Sequence, residues 1–263
     1  QAIFKPNGAF ASLLKSSRPL PADCLKNLPA EQFIMSMAYA YPKGGTEAFY
    51  QLVDELLTEA AKIDDLPLDA AKLKEAIVAS RKMMEQMHFV SQTQSIAGPG
   101  LYDGVYGIFH VEDSQAFLEQ YKDGMKRIMA VFEKHKELLS GIEIGDAKVG
   151  DINALTMSID MLELSKKFGA PQQPQQDIMM KAMFGGEGKM TIFVAAATKN
   201  KVVMSYGEPG LKTIVESVKA DKPGLADDLM IKKTAAILPS NVLGVGYVDI
   251  GGYIEMMKKM VTA

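Results

Sequence analysis

Residues 33–60 read FIMSMAYAYPKGGTEAFYQLVDELLTEA, and the hydrophobic period changes partway along them. From Phe33 to Tyr41 large side chains (Phe33, Met35, Met37, Tyr39, Tyr41) alternate with small ones (Ser36, Ala38, Ala40), the two-residue period of a strand. Gly44 and Gly45 then turn the chain and Thr46 offers an N-cap. Beyond it Phe49, Leu52, Val53, Leu56, Leu57 and Ala60 recur at the spacing of an amphipathic helix. A strand has fed a helix, and this switch decides the fold because it recurs along the chain.

Working outward, a second helix is expected from Asp69 to about Met87, and Gly98-Pro99-Gly100 turns into a strand at Val105–Val111. Asp113 or Ser114 caps the next helix, whose stripe includes Phe117, Tyr121, Met125 and Phe132. Strands follow at 142–149 and around Leu155–Met161, then a Pro/Gln-rich loop from Gly169 to Gln176 and a short helix near Asp177–Met183. A hairpin of 190–197 with 201–206 turns through Thr198, Lys199 and Asn200. A helix marked by Leu211, Ile214 and Val218 comes next, and the chain closes with a strand at 242–249, a Gly251-Gly252 turn and a last helix. The expected fold is α+β: curved antiparallel sheets with helices packed on one face, built from strand-then-helix units. It is read either as one unit over 1–263 or as two associated lobes, 1–168 and 178–263, beside the Pro171 loop.

Composition narrows the function. With 48% hydrophobic and 23% charged residues the chain has the balance of an ordered globular protein. Its net charge of −3 comes from interspersed residues, so there is no basic face for nucleic acid, and Trp is absent. The longest apolar runs fall short of the ~18 residues that cross a bilayer, so no membrane span is expected. A chain opening at Gln1 without a leader reads as the mature form of an exported protein or as an excised fragment. Export, to the periplasm or the extracellular space, is the expectation carried forward. Cys24 is the one cysteine, which excludes an internal disulfide.

Leu28-Pro29-Ala30, a strand, Gly44-Gly45 and a helix are echoed by Leu238-Pro239-Ser240, a strand, Gly251-Gly252 and a helix, an internal repeat in pattern. In VYGIFHVEDSQAFLEQYKDGMKRIM (105–129), IFVAAATKNKVVMSYGEPGLKTIVESVK (192–219) and LPSNVLGVGYVDIGGYIEMMKKMV (238–261) the chain resembles the exported bacterial family called domain of unknown function 3352. What carries this is a Val-x-Asp strand end before a helix, a turn-strand-Gly-helix unit, and a late Leu-Pro-x-strand-Val-Asp unit. The resemblance implies export and an α+β architecture, and brings no activity or catalytic residue.

Three groupings invite a chemical reading. Met-Met-x-x-Met occurs at Met83, Met84, Met87, at Met179, Met180, Met183 and at Met256, Met257, Met260, half of the 18 methionines. Thioethers on one helical face could bind Cu(I) or line an adaptable groove, but filling gaps between helix and sheet needs fewer assumptions. His110, Glu112 and Asp113 cluster at a strand end where acid-base chemistry is conceivable, although Asp113 already serves as a helix cap. His88 and His135 are expected on helices without a ligand at i+4. Cys24 has no base beside it in sequence, and Asp64, Asp65, Asp227 and Asp228 suit solvated loops or helix starts. Gly244, Gly246, Gly251 and Gly252 do not match a dinucleotide or phosphate loop, and the G-x-S-x-G and H-E-x-x-H signatures are absent.

The sequence therefore nominates no catalytic, cofactor or metal residue. The leading expectation is a non-enzymatic, methionine-rich envelope protein that binds another protein or an apolar ligand, alone or as a subunit of a larger assembly. The alternatives are a hydrolase-type enzyme whose site converges from distant residues, and a copper-handling protein.

Overall fold

The structure, a computed structural model, describes residues 15–43, 47–60, 62, 69–96, 103–133, 139–167, 184 and 188–262. Strand β1 (Phe33–Ala40) is followed by helices α1 (Glu47–Ala60) and α2 (Ala70–Glu85), then by β2 (Met87–Ser95) and β3 (Val105–Val111). Helix α3 (Ser114–Val131) leads to β4 (Ile142–Val149), β5 (Ile152–Asp160) and the short α4 (Met161–Lys167). After β6 (Lys189–Thr198) and β7 (Lys201–Tyr206) come α5 (Glu208–Lys219), a 3-10 turn (Gly224–Asp227), α6 (Leu229–Ala235), β8 (Gly244–Val248) and α7 (Ile250–Thr262).

The strands form one eight-stranded sheet in the order β4-β5-β6-β7-β3-β2-β1-β8, every neighbouring pair antiparallel. The expected α+β class with antiparallel pairing is thus present. Strands from either side of the Pro171 loop share this sheet: β5 pairs with β6, β3 with β7, and β1 with β8. The two strands that carry the Leu-Pro echo therefore lie side by side. The loop at 169–176 and the helix expected at 177–183 lie outside the described residues, as do Gly44, Gly45, Gly98-Pro99-Gly100, Asp64, Asp65 and His135.

The helices do not share one face, and here the expected placement is corrected. Along β6, Phe193, Ala195 and Ala197 join a core with Leu211, Ile214, Val215 and Val218 of α5. The same core takes in Leu20, Leu25 and Leu28 of the N-terminal segment and Ile231 of α6. Ile192 and Val194, pointing the other way, join Phe117 and Met125 of α3, with Met83 and Met84 of α2 packed at the margin. The reason is written in β6 and β7, whose runs Ile192–Ala197 and Val202-Val203 are apolar at consecutive positions and so bury both faces. Phe117 is fully buried, a contribution of about 1.5–3 kcal/mol.

Strand β2 is the element the hydrophobic pattern conceals. The helix expected to reach Met87 ends at Glu85, and the chain turns at once into β2, so His88 lies on a strand and not on a helix. The buried positions of β2 include Ser91, Thr93 and Ser95, so alternation is present in burial but not in hydrophobicity. Ser36 of β1 donates to the Gln92 carbonyl at 3.2 Å and Thr93 to the Met35 carbonyl at 3.2 Å, so both hydroxyls are satisfied by neighbouring backbone. Gly251 and Gly252 form no turn, because both fall inside the first turn of α7. Met161 begins α4 instead of ending a strand, and α6 carries no forecast from the sequence. No helix among the described residues is long and apolar enough to cross a membrane.

Candidate functional site

The strand-end cluster comes apart in three dimensions. His110 lies between Phe89 of β2 and Lys201 of β7 in the sheet register. Its ring stacks on Phe89 with centroids 3.7 Å apart and planes at 15°. Burial, reinforced by the positive Lys201 and His88, pushes its imidazole pKa down to about 3, and its Nε2 is buried without a hydrogen-bond partner among the described residues. A neutral ring that no carboxylate orients is poorly placed to work as a general base. Glu112 is exposed and engages Lys43 at 2.5 Å, which holds its carboxyl below the usual range. Asp113 accepts from Ala116 N at 2.9 Å as the N-cap of α3, the role expected of it.

Glu112 instead belongs with His88, Lys43 and Arg18. Burial lowers the His88 pKa, Lys43 and Arg18 lower it further, and Glu112 opposes them. A small cavity of about 180 Å³ opens there, lined by Arg18, Tyr41, Lys43, His88 and Phe89. A larger open cleft of about 720 Å³ runs beside the β4–β5 hairpin, bordered by Gln115, Lys122, Asp146, Lys148 and Lys219. Lys122 and Asp146 are ion-paired there at 2.7 Å, and the carboxylates of Glu119 and Asp151 line the same cleft. Among the described residues no cluster of His, Cys, Asp or Glu is arranged to hold a metal ion.

Cys24 is buried, and desolvation with the nearby Asp23 carboxylate pushes its thiol up to about 11, which leaves it protonated and inert at neutral pH. Asp228 caps α6 by accepting from Met230 N at 2.8 Å and Ile231 N at 3.0 Å, and Asp227 is ion-paired with Lys232. A polar joint that no local motif announces sits at Asn27, fully buried with φ of 71°. Lys201 donates to its Oδ1 at 2.7 Å while its own Nδ2 donates to the Lys222 carbonyl at 2.8 Å. These bonds bind the N-terminal segment to β7 and to the end of α5, with partners too far apart in sequence for spacing to reveal.

The methionine triads separate in the same way. Met87 is 2% exposed and Met83 and Met84 pack against the core of the α3 face, so these thioethers fill space. Met179, Met180 and Met183 lie outside the described residues. The last triad belongs to α7, where Met256 is half-buried and Met257 exposed.

That helix is part of the largest grouping of exposed apolar side chains among the described residues. Among the described residues, nine exposed large apolar side chains fall between Leu229 and Met257, against four in the chain before them. Four of the nine, Ile250, Tyr253, Ile254 and Met257, follow the i, i+3, i+4, i+7 rule along α7 and are 41 to 72% exposed. In a helix that rule normally marks the face turned to the core. Here the packed face is the other one: Gly252 is buried, and a Cβ placed on it would lie 2.0 Å from the Phe33 carbonyl oxygen. Comparison with protein-family models, with curated proteins and with solved structures returns no match.

Proposed function

We propose that this chain is a non-enzymatic binding protein of the cell envelope that docks another protein through the apolar surface of its C-terminal segments. Export rests on the resemblance drawn from residues 105–129, 192–219 and 238–261. The observation that carries the binding role is the outward stripe Ile250, Tyr253, Ile254 and Met257, since clustered exposed apolar side chains mark interaction sites. The first methionine triad lends no support, because it is spent on packing.

The test is site-specific photo-crosslinking in the native host with a photoreactive residue at position 253 or 254, and at Lys126 on the exposed side of α3 as control. Discrete protein adducts at 253 and 254 and none at 126 are expected. Adducts at all three positions alike, or at none, would overturn the reading.

A further inference from the structure

Strand β8 ends the sheet, and its pairing shows which backbone groups it leaves over. Asp249 N donates to the Ile34 carbonyl at 3.0 Å and Ala40 N donates to the Leu243 carbonyl at 2.8 Å. With Ser36 opposite Tyr247 and Ala38 opposite Val245, positions 243, 245, 247 and 249 turn their polar groups toward β1. Gly244, Gly246 and Val248 therefore turn theirs outward, and all three are exposed. Among the described residues no strand pairs with this edge.

At its start the edge is covered, because the Val242 carbonyl accepts from Leu20 N at 2.9 Å; beyond that it is undefended. From Leu238 to Val248 the sequence LPSNVLGVGYV contains no charge, and the strand itself has no bulge or proline to discourage pairing. Gly246 is unexplained within the chain: its φ is not left-handed, and a Cβ built on it meets nothing within 4 Å. Glycine weakens a strand interior and is found there where another backbone comes close.

We infer that β8 pairs antiparallel with β8 of a second copy of this chain, about a two-fold axis at Gly246, so that one sheet runs through both copies. This rests on reading the C-terminal surface as a docking surface, and it names the occupant. The outward groups recur at 244, 246 and 248, so the two-fold sets Gly246 against the partner's Gly246 and Gly244 against the partner's Val248. A closed two-fold contact needs no second complementary surface. No like charges meet across the axis. The α7 stripe begins two residues beyond Val248, and in this pairing it lies beside the seam. The exposed surface of Val248, Ile250, Tyr253, Ile254 and Met257 is on the order of 500 Å², a large part of the about 800 Å² each partner contributes to a standard interface.

Sedimentation equilibrium of the purified chain from 1 to 100 µM tests this, with Gly246→Pro and Val248→Lys as variants and circular dichroism as the check on folding. The first variant removes an outward N–H from the seam, and the second sets a charge opposite the partner's Gly244 that pairing would have to desolvate. Wild-type chain is expected at twice its 28.6 kDa, with dissociation at least tenfold easier in whichever variant stays folded. Amide exchange at Gly244, Gly246 and Val248 should be slow in the dimer and fast in that variant. A wild-type monomer at 100 µM, or a dimer that both folded variants leave intact, would overturn the inference. Crosslinks from position 253 to a foreign protein on a monomeric chain would sink the dimer and leave the docking reading standing.

Discussion

The sheet has two edges, and they are built on opposite principles. The β4 edge, IEIGDAKV, carries exposed Glu143, Asp146 and Lys148, with Glu143 3.6 Å from Lys189 and Asp146 held by Lys122 of α3. The β8 edge, GVGYV, has glycine or valine at every outward position. Charges on an edge strand oppose pairing with another chain, because a second strand would have to desolvate them. The same fold thus closes one end of its sheet and leaves the other open, which makes the open end a matter of residue choice rather than topology.

The largest expected effect falls where the open edge is anchored. Gly252→Ala would drive a methyl group into the Phe33 carbonyl and push α7 off β1, at a cost of about 2–3 kcal/mol. Gly246→Ala on the same edge should stay within about 1 kcal/mol of wild type or gain slightly, since glycine itself is unfavourable in a strand. Chemical denaturation of the two variants checks this; equal losses would mean that the edge is not held as described.

His110, in the middle of the sheet, offers a second probe. Its folded pKa of about 3 lies far below the ~6.5 of the unfolded chain. Between these values the unfolded chain binds the proton first, so stability is intact above pH 6.5 and falls as the pH drops toward 3. His110→Gln should flatten that decline, read as urea midpoints at pH 7 and pH 4.5. Parallel declines would show that Phe89, Lys201 and His88 do not shield the ring as described, and that the acid sensitivity lies elsewhere.

A smaller contrast compares two valines that end the two edge strands. Val149 is 2% exposed and Val248 67% exposed. Val149→Ala should cost about 1–2 kcal/mol, and Val248→Ala about 0.5 kcal/mol or less in the monomer. Thermal melts of dilute protein distinguish them, and a reversed order would mean that the edges have been assigned the wrong characters. The smallest effect on stability is expected for Asp146→Asn, which breaks an exposed ion pair worth under about 1 kcal/mol. Removing Glu143, Asp146 and Lys148 together should leave the melt nearly unchanged yet cause concentration-dependent association visible by light scattering. If no association appears, charge is not what protects this edge.

How much was legible differs element by element. Strand β3, the β6–β7 hairpin, the start of α2 at Asp69 and the cap of α3 could be read directly, because Asp69 and Asp113 precede periodic apolar runs and act within three residues. Strand β2 could not, because its inward serines and threonine present a polar pattern on a buried face. His110, weighed in sequence beside Glu112 and Asp113 without being nominated, has its ring stacked on Phe89, and the last helix was expected from sequence while the exposure of its apolar stripe was not. The nearest hint was the charge-free stretch from Leu238 to Val248 next to a helix with a second apolar face.

By itself the sequence determined the α+β class and the antiparallel hairpins, since periods of 2 and 3.6 are local properties of backbone geometry. Only the tertiary structure decided that the helices divide between two faces, that β3 meets β7, and that α7 packs through Gly252 and turns its isoleucines outward. Those outcomes depend on which surfaces meet after the chain has turned. A hydrophobic period records that a face prefers burial, and whether a neighbour covers it is settled by contacts between residues far apart in the chain.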